Sequence, residues 1–226
     1  MERSQASIAN LHGYCDTGMK AFTVMWRTIK ALYEDLLLWV WLSVLWWVGV
    51  FLVLPAAPVT AGIHNAANRV ANYRRVDSGF FWDGARETIG KSWLLLGVNI
   101  LLVAGVVMNI RFYGSSPADW ARIISIVWVW ILLIILMAGQ YFFPLLWQQD
   151  EMSLKMVLRN SFILALRHPL YTFLMFLFQV LLIVVSVATV LPIFLLTPAA
   201  VVLAMNFSLV GLLQELDLAP DPPPGA

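Results

Sequence analysis

Charge is what this 226-residue sequence has least of. Asp, Glu, Lys and Arg make up 12% of it, where soluble domains run nearer a quarter. The 14 Lys and Arg residues against 13 Asp and Glu leave a net charge of +1, too little field to hold nucleic acid. A single cysteine, Cys15, excludes an internal disulfide and a cysteine-based metal cluster. His12, His64 and His168 lie far apart in the chain, and no His-Glu-x-x-His, Gly-x-Ser-x-Gly, phosphate loop or dinucleotide fingerprint accompanies them. No metal or cofactor is expected, and an enzyme is the least supported class. The adjacent carboxylates Asp150 and Glu151 are read as the start of a helix, where negative charge suits the dipole. The first 20 residues are polar, so no cleavable signal peptide is expected.

Hydrophobic residues are what the chain has in excess. They form 61% of it, and mean hydropathy is +0.81. A folded domain of this size buries only about 70–75% of its unfolded surface, so the remaining apolar surface calls for lipid. Runs of roughly 18 or more apolar residues, enough to cross about 30 Å of hydrocarbon, fall at about 36–54, 92–110 and 123–147. The uncharged stretch Tyr171–Leu213 is too long for one crossing. Pro192 and Pro198 near its middle divide it into a hairpin with spans at about 171–191 and 198–213, because proline favours the first helical turn. The expected fold is an all-α, polytopic transmembrane helical bundle of five spans. An N-terminal amphipathic segment (1–34), a transmembrane domain (35–214) and a disordered, acidic, proline-rich tail (215–226) are the expected divisions.

The segments between spans carry pattern as well. Thr60 is read as a helix cap, followed by Ile63, Ala66, Ala67, Val70 and Tyr73 on one face and His64, Asn65, Asn68, Arg69 and Asn72 on the other. Ser78 is read as a second cap, and Leu154 to Leu166 as a third amphipathic stretch. Such helices suit a membrane surface, so surface helices are expected between spans one and two and between spans three and four. A weak echo relates the halves, with Leu54-Pro55 and Phe143-Pro144 each leading through arginines to the next span.

Five spans put the termini on opposite sides. Eight Lys and Arg fall on the side of loops 55–91 and 148–170, against six on the other, or five without the distant Arg3. The positive-inside bias then places both loops in the cytoplasm of a multi-pass plasma-membrane protein, with the N-terminus outside.

Three stretches, in order, carry a resemblance: LWWVGVFLVLPAAPVTAGIHNAANRV (Leu45–Val70), SGFFWDGARETIGKSW (Ser78–Trp93) and QYFFPLLWQQDEMSLKMVLRNSFILAL (Gln140–Leu166). Together they resemble the YesL-like family of bacterial membrane proteins, classed as a domain of unknown function. One departure is Ser43 where the family carries Asn in its Asn-x-x-Trp motif. The resemblance implies no catalytic residue. It implies a context of carbohydrate uptake, and hence a carbohydrate transporter as partner.

No charged residue or histidine falls inside any predicted span, which lowers the case for ion coupling. Asn99, Gln140, Gln179 and Asn206 are the buried amides, read as a polar pathway or as interhelical bonds. Trp46 and Trp47 sit deeper than the interfacial tryptophans Trp39, Trp41, Trp93, Trp120 and Trp147, and are candidates for stacking on a ligand. Ala200, Ala204 and Ser208, with Gly211, form a small-residue stripe suited to close helix packing. Arg69, Arg74, Arg75, Arg86, Lys155 and Arg159 mark loops suited to docking a membrane partner. Two functions follow as expectations. One is an accessory or assembly factor acting through those loops. The other is a transporter or permease component for a neutral solute such as a sugar.

Overall fold

The computed structural model describes residues 2–149 and 153–223, with side-chain exposure from residue 17 onward, Leu191 apart. Asp150 and Glu151, and the side chains of Arg3, His12 and Cys15, lie outside the described residues. The described chain is all helix joined by turns, in the order α1 (Glu2–Glu34), α2 (Leu36–Phe51), α3 (Ala56–Ala71), α4 (Ser78–Glu87), α5 (Ile89–Gly114), α6 (Asp119–Gly139), α7 (Phe142–Gln148), α8 (Leu154–Arg167), α9 (Pro169–Thr189), α10 (Leu191–Leu195) and α11 (Thr197–Glu215).

Four stretches are long and apolar enough to cross a membrane: α5, α6 with α7, α9 and α11. Residues 17–34 of α1 together with α2 make a fifth only as a pair bent by 91°. The predicted first span is thus shorter than expected. Helix α2 ends at Phe51, and 16 residues reach only about 24 Å. Val53, in the turn that follows, has φ 62°. The last hairpin is present, with α10 filling its turn and Pro198 in the first turn of α11. The two proline sites of the weak echo differ: Pro55 precedes α3, whereas Pro144 lies inside α7.

Helix α3 departs furthest from expectation. It is not a surface helix. Ala57, Ala61, Ile63, His64, Ala66, Ala67, Asn68 and Ala71 are all buried. Its small residues allow close approach. A Cβ on Gly62 would collide with the Phe81 carbonyl of α4, one on Gly84 of α4 would stand 2.7 Å from Asn65 Cβ, and one on Gly49 of α2 would stand 2.5 Å from a Val59 methyl carbon. The polar face finds protein partners in place of water. Asn65 donates to Phe80 O at 2.8 Å, while Asn68 and Asn72 both donate to Gln148 Oε1, at 3.0 and 3.2 Å. Buried amides are tolerated when bonded in this way. The capping residues also shift. Helix α3 starts at Ala56, and Thr60 lies within it, donating to Ala56 O. Asp77, not Ser78, caps α4 by accepting from Gly79 N. Helix α8 keeps the amphipathic pattern, burying Val157, Ser161, Leu164 and Ala165 while Lys155 and Arg159 are exposed.

The centre of the bundle is α11. Ala200, Ala204 and Ser208 are buried, and Gly211 comes close to the Tyr171 hydroxyl of α9 and Val24 of α1. The small-residue stripe therefore packs within one chain. Trp39, expected at the membrane interface, is fully buried and donates to Ala31 O of α1 at 3.2 Å. Trp147 likewise donates inward, to Ala61 O at 3.0 Å.

Candidate functional site: a cavity between the helices

A cavity of about 430 Å³ lies among α2, α3, α5, the end of α6, α7, α9, α10 and α11. Small-molecule pockets run about 300–1,000 Å³. Its walls are mostly hydrocarbon and aromatic rings, from Phe143, Pro144, Ile183, Ile193, Val201 and Met205. Few polar groups reach it.

The two tryptophans singled out by their depth both line the cavity. Their rings meet edge to face, with centroids 5.1 Å apart and planes at 79°. Trp46 donates to Thr60 Oγ1 at 3.0 Å, and Trp47 to Ile193 O at 3.2 Å. Both indole nitrogens are thus occupied, and each ring is pinned in the cavity wall. Phe51 and Phe194 pack on Trp47 at centroid distances of 5.6 and 5.5 Å.

The four amides, Asn99 half-buried and the others buried, converge on the same place, two directly and two through a single bond. Asn99 and Gln140 line the cavity. Gln140 donates to Met137 O at 2.9 Å and Thr172 O at 3.2 Å, and accepts from Gln179 at 2.8 Å. Gln140 is therefore held from both sides. Asn99 shows no hydrogen bond to any described residue. Asn206 reaches the cavity through His64, with Nδ2 3.0 Å from His64 Nδ1 and 2.8 Å from Val202 O.

That last arrangement fixes a proton. The Val202 carbonyl accepts, so the Asn206 atom facing it is the amide nitrogen. Its other hydrogen then points at His64 Nδ1, which accepts. The His64 proton sits on Nε2, which has no partner among the described residues, on a ring that forms part of the cavity wall. Phe143 stacks on the imidazole at 5.2 Å. Burial pushes the His64 pKa down to about 3, so the ring is neutral at physiological pH and offers a donor without a charge.

The interhelical reading of the polar residues describes the rest. Tyr141 bridges Thr172 Oγ1 at 3.1 Å and Ser208 Oγ at 3.3 Å, Tyr171 donates to Ser208 O at 3.1 Å, and Ser43 Oγ accepts from Ala199 N at 3.3 Å.

The basic residues chosen for partner docking do not join the cavity. Arg69 lies over the Phe80 ring at 3.4 Å. Arg74, Arg75, Arg86, Lys155 and Arg159 are exposed. Among the described residues, no three His, Cys, Asp or Glu side chains come together as a metal site would require.

Sequence reasoning missed His64 and Thr60 as cavity residues. Their separation of four places them on one helical face, but that face was assigned to solvent.

These features define a helical membrane protein with an interhelical cavity of mainly apolar character. The chain matches no family model, no curated protein and no solved structure.

Proposed function

We propose that the chain binds an uncharged, largely apolar small molecule in this cavity, as the solute-binding part of a membrane transporter or permease. The observation that carries the reading is the convergence of His64, Asn99 and Gln140 with Trp46 and Trp47 around one space of about 430 Å³. The polar groups are few, and Gln140 already spends its donors on protein. A sugar brings a hydroxyl on nearly every carbon, and most would be left unpaired here at considerable cost. An apolar body with a small polar head that can accept a hydrogen bond, such as a fatty alcohol or a monoacylglycerol, suits His64 Nε2–H and the mainly apolar walls. Carbohydrate itself is then a poor fit for the cavity, whatever the context implied by the YesL-like resemblance.

Tryptophan fluorescence of the protein in nanodiscs tests the reading. A medium-chain monoacylglycerol brominated along its chain should quench the wild type saturably, and glucose should not. Val201→Trp, which fills the space, should remove the saturable component. Quenching that survives Val201→Trp unchanged would refute the cavity as the binding site.

A second reading rests on Arg74, Arg75, Arg86, Lys155 and Arg159. All five are exposed, and none has a carboxylate partner among the described residues. They suit a cytoplasmic face that docks an acidic region of a membrane partner, as an assembly factor would. Affinity capture from native membranes tests it. Replacing Arg74, Arg75 and Arg86 with Gln should lose any specific partner, and recovery of the protein alone in mild detergent counts against docking.

A further inference from the structure

Helix α1 turns away from α2 at Asp35 by 91°. The two helix axes are therefore nearly perpendicular. Its described part has three sides. Ala21, Val24, Thr28 and Ala31 face the bundle and are buried. Met19, Phe22, Trp26, Ile29 and Tyr33 form an exposed apolar stripe, as expected of a helix seated at the headgroup boundary. Lys20, Thr23, Arg27, Lys30 and Glu34 recur at spacings of three and four and share the remaining side.

The cations on that side differ. Lys20 pairs with Glu215 of α11 at 3.0 Å, and Lys30 lies 4.0 Å from Glu34. Arg27 has no carboxylate partner among the described residues. One of its terminal nitrogens donates to the Tyr73 hydroxyl at 3.3 Å, and its Nε is buried without any partner. Proteins rarely leave such a donor unmet. Arg27 also borders two hollows. One, of about 200 Å³, is bounded by Lys20, Thr23, Arg27, Tyr171 and Glu215. The other, of about 100 Å³, is bounded by Lys30, Glu34 and Tyr73.

We propose that Arg27 is an anion-binding residue and that the groove beside it takes a phosphate group, at the depth where phospholipid headgroups lie. The planar guanidinium can present two parallel N–H groups to phosphate oxygens, whereas the Thr23 hydroxyl is spent on Met19 O at 2.9 Å and only borders the groove. His168 Nδ1 lies 3.9 Å from the other Glu215 oxygen, so Glu215 is held by Lys20 and faces His168. Its charge keeps the phosphate toward the Arg27 end. This site is separate from the cavity and does not depend on what the cavity binds.

The full-length protein in nanodiscs provides the test, with retained lipid counted by native mass spectrometry. In phosphatidylcholine containing a fraction of phosphatidylglycerol, one phosphatidylglycerol should be retained per chain. Arg27→Gln should cut that retention about tenfold, and Arg27→Lys about threefold, because the charge stays and the fork is lost. Arg159→Gln removes a charge elsewhere and should leave retention unchanged. Glu215→Gln should raise it, since a repelling charge is gone. Inorganic phosphate in pure phosphatidylcholine discs is the second arm. An Arg27-dependent thermal shift there, without lipid retention, assigns the site to free phosphate and supports the anion site. Retention equal in wild type and Arg27→Gln with no phosphate shift, or an equal loss in Arg159→Gln, overturns the proposal. If Arg27→Gln does not assemble, Tyr73→Phe decides. A loss of about threefold supports the site, and no change refutes it.

Discussion

Two helices of this molecule are each long and apolar enough to cross a membrane, yet they stand at opposite ends of burial. The most apolar window of α11 is 78% buried, while that of α5 is 11% buried. The buried helix is the less apolar one, with mean hydropathy 1.5 against 2.2. Water would sort them the other way. In lipid there is no hydrophobic drive between apolar helices, so small residues and interhelical hydrogen bonds select the interior. Helix α11 has both, in Ala199, Ala200, Ala204, Ser208 and Asn206. Helix α5 carries Leu, Val, Ile and Met over most of its length and packs mainly on α6, leaving Ile100, Leu101, Met108 and Phe112 exposed. The same contrast separates α3 from α5, and there glycine exposes it. Gly62 has the Phe81 backbone against it, while Gly97 and Gly105 have nothing within 4 Å.

The largest expected effect follows from that pair. Gly62→Ala puts a methyl group into the backbone of α4 and should destabilise the protein by about 3 kcal/mol, the upper end for overpacking. Gly97→Ala should stabilise it or leave it within about 1 kcal/mol, because alanine is the better helix former. Reversible unfolding in mixed detergent micelles measures both. Equal costs would break the contrast between interior and lipid-facing helices. Next comes a pair of asparagines. Asn206→Ala strands His64 Nδ1 in the interior and should cost about 2 kcal/mol. Asn109 is half-buried and donates only to Gly105 O within its own helix, so Asn109→Ala should cost less than about 0.5 kcal/mol.

This contrast also explains what could be read in advance. Spans two to five were legible because long apolar runs and the prolines at 192 and 198 act through local chain properties. Burial of α3 was not. Its asparagines look like a wet face until Gln148, 80 residues from Asn68, and Asn206, 142 residues from His64, arrive to bond them. Trp39 was misplaced for the same reason, since the carbonyl it meets belongs to α1 and comes within reach only through the corner at Asp35. At the cavity, the amides and the two deep tryptophans were legible by chemistry and depth. Their convergence depends on residues spread from Trp46 to Met205, which no spacing rule joins.

Acid provides the third test, because it acts on one buried group of α3 and spares the exposed helix α5. The folded pKa of His64, about 3, is below the unfolded value of about 6.5. The unfolded chain therefore binds a proton that the folded chain refuses, throughout the interval between those values. Stability from this group is fully present above pH 6.5 and falls as pH drops toward 3, by up to about 1.4 kcal/mol per unit. Comparing wild type with His64→Phe cancels the exposed carboxylates common to both. The wild-type stability should fall relative to the variant from pH 6.5 downward. Parallel curves would show that the ring is wet and the cavity open to bulk water.

The smallest effect bears on whether the amides at the cavity are glue or site. Gln140 and Gln179 share a bond of 2.8 Å, and polar pairs between membrane helices couple by about 0.6 kcal/mol on average. A double-mutant cycle with Gln140→Leu and Gln179→Leu should return a coupling near that value. The informative comparison is with ligand binding in the same variants. If the pair only joins α9 to the end of α6, Gln179→Leu weakens the fold by that small amount and leaves quenching by the monoacylglycerol unchanged. If Gln179 serves to aim Gln140 into the cavity, binding falls severalfold in Gln179→Leu although the residue does not line the space. Gln140 bonds Thr172 O on α9 as well, so loss of one partner leaves it anchored but turned. Binding, not stability, is therefore the measurement that separates the two roles.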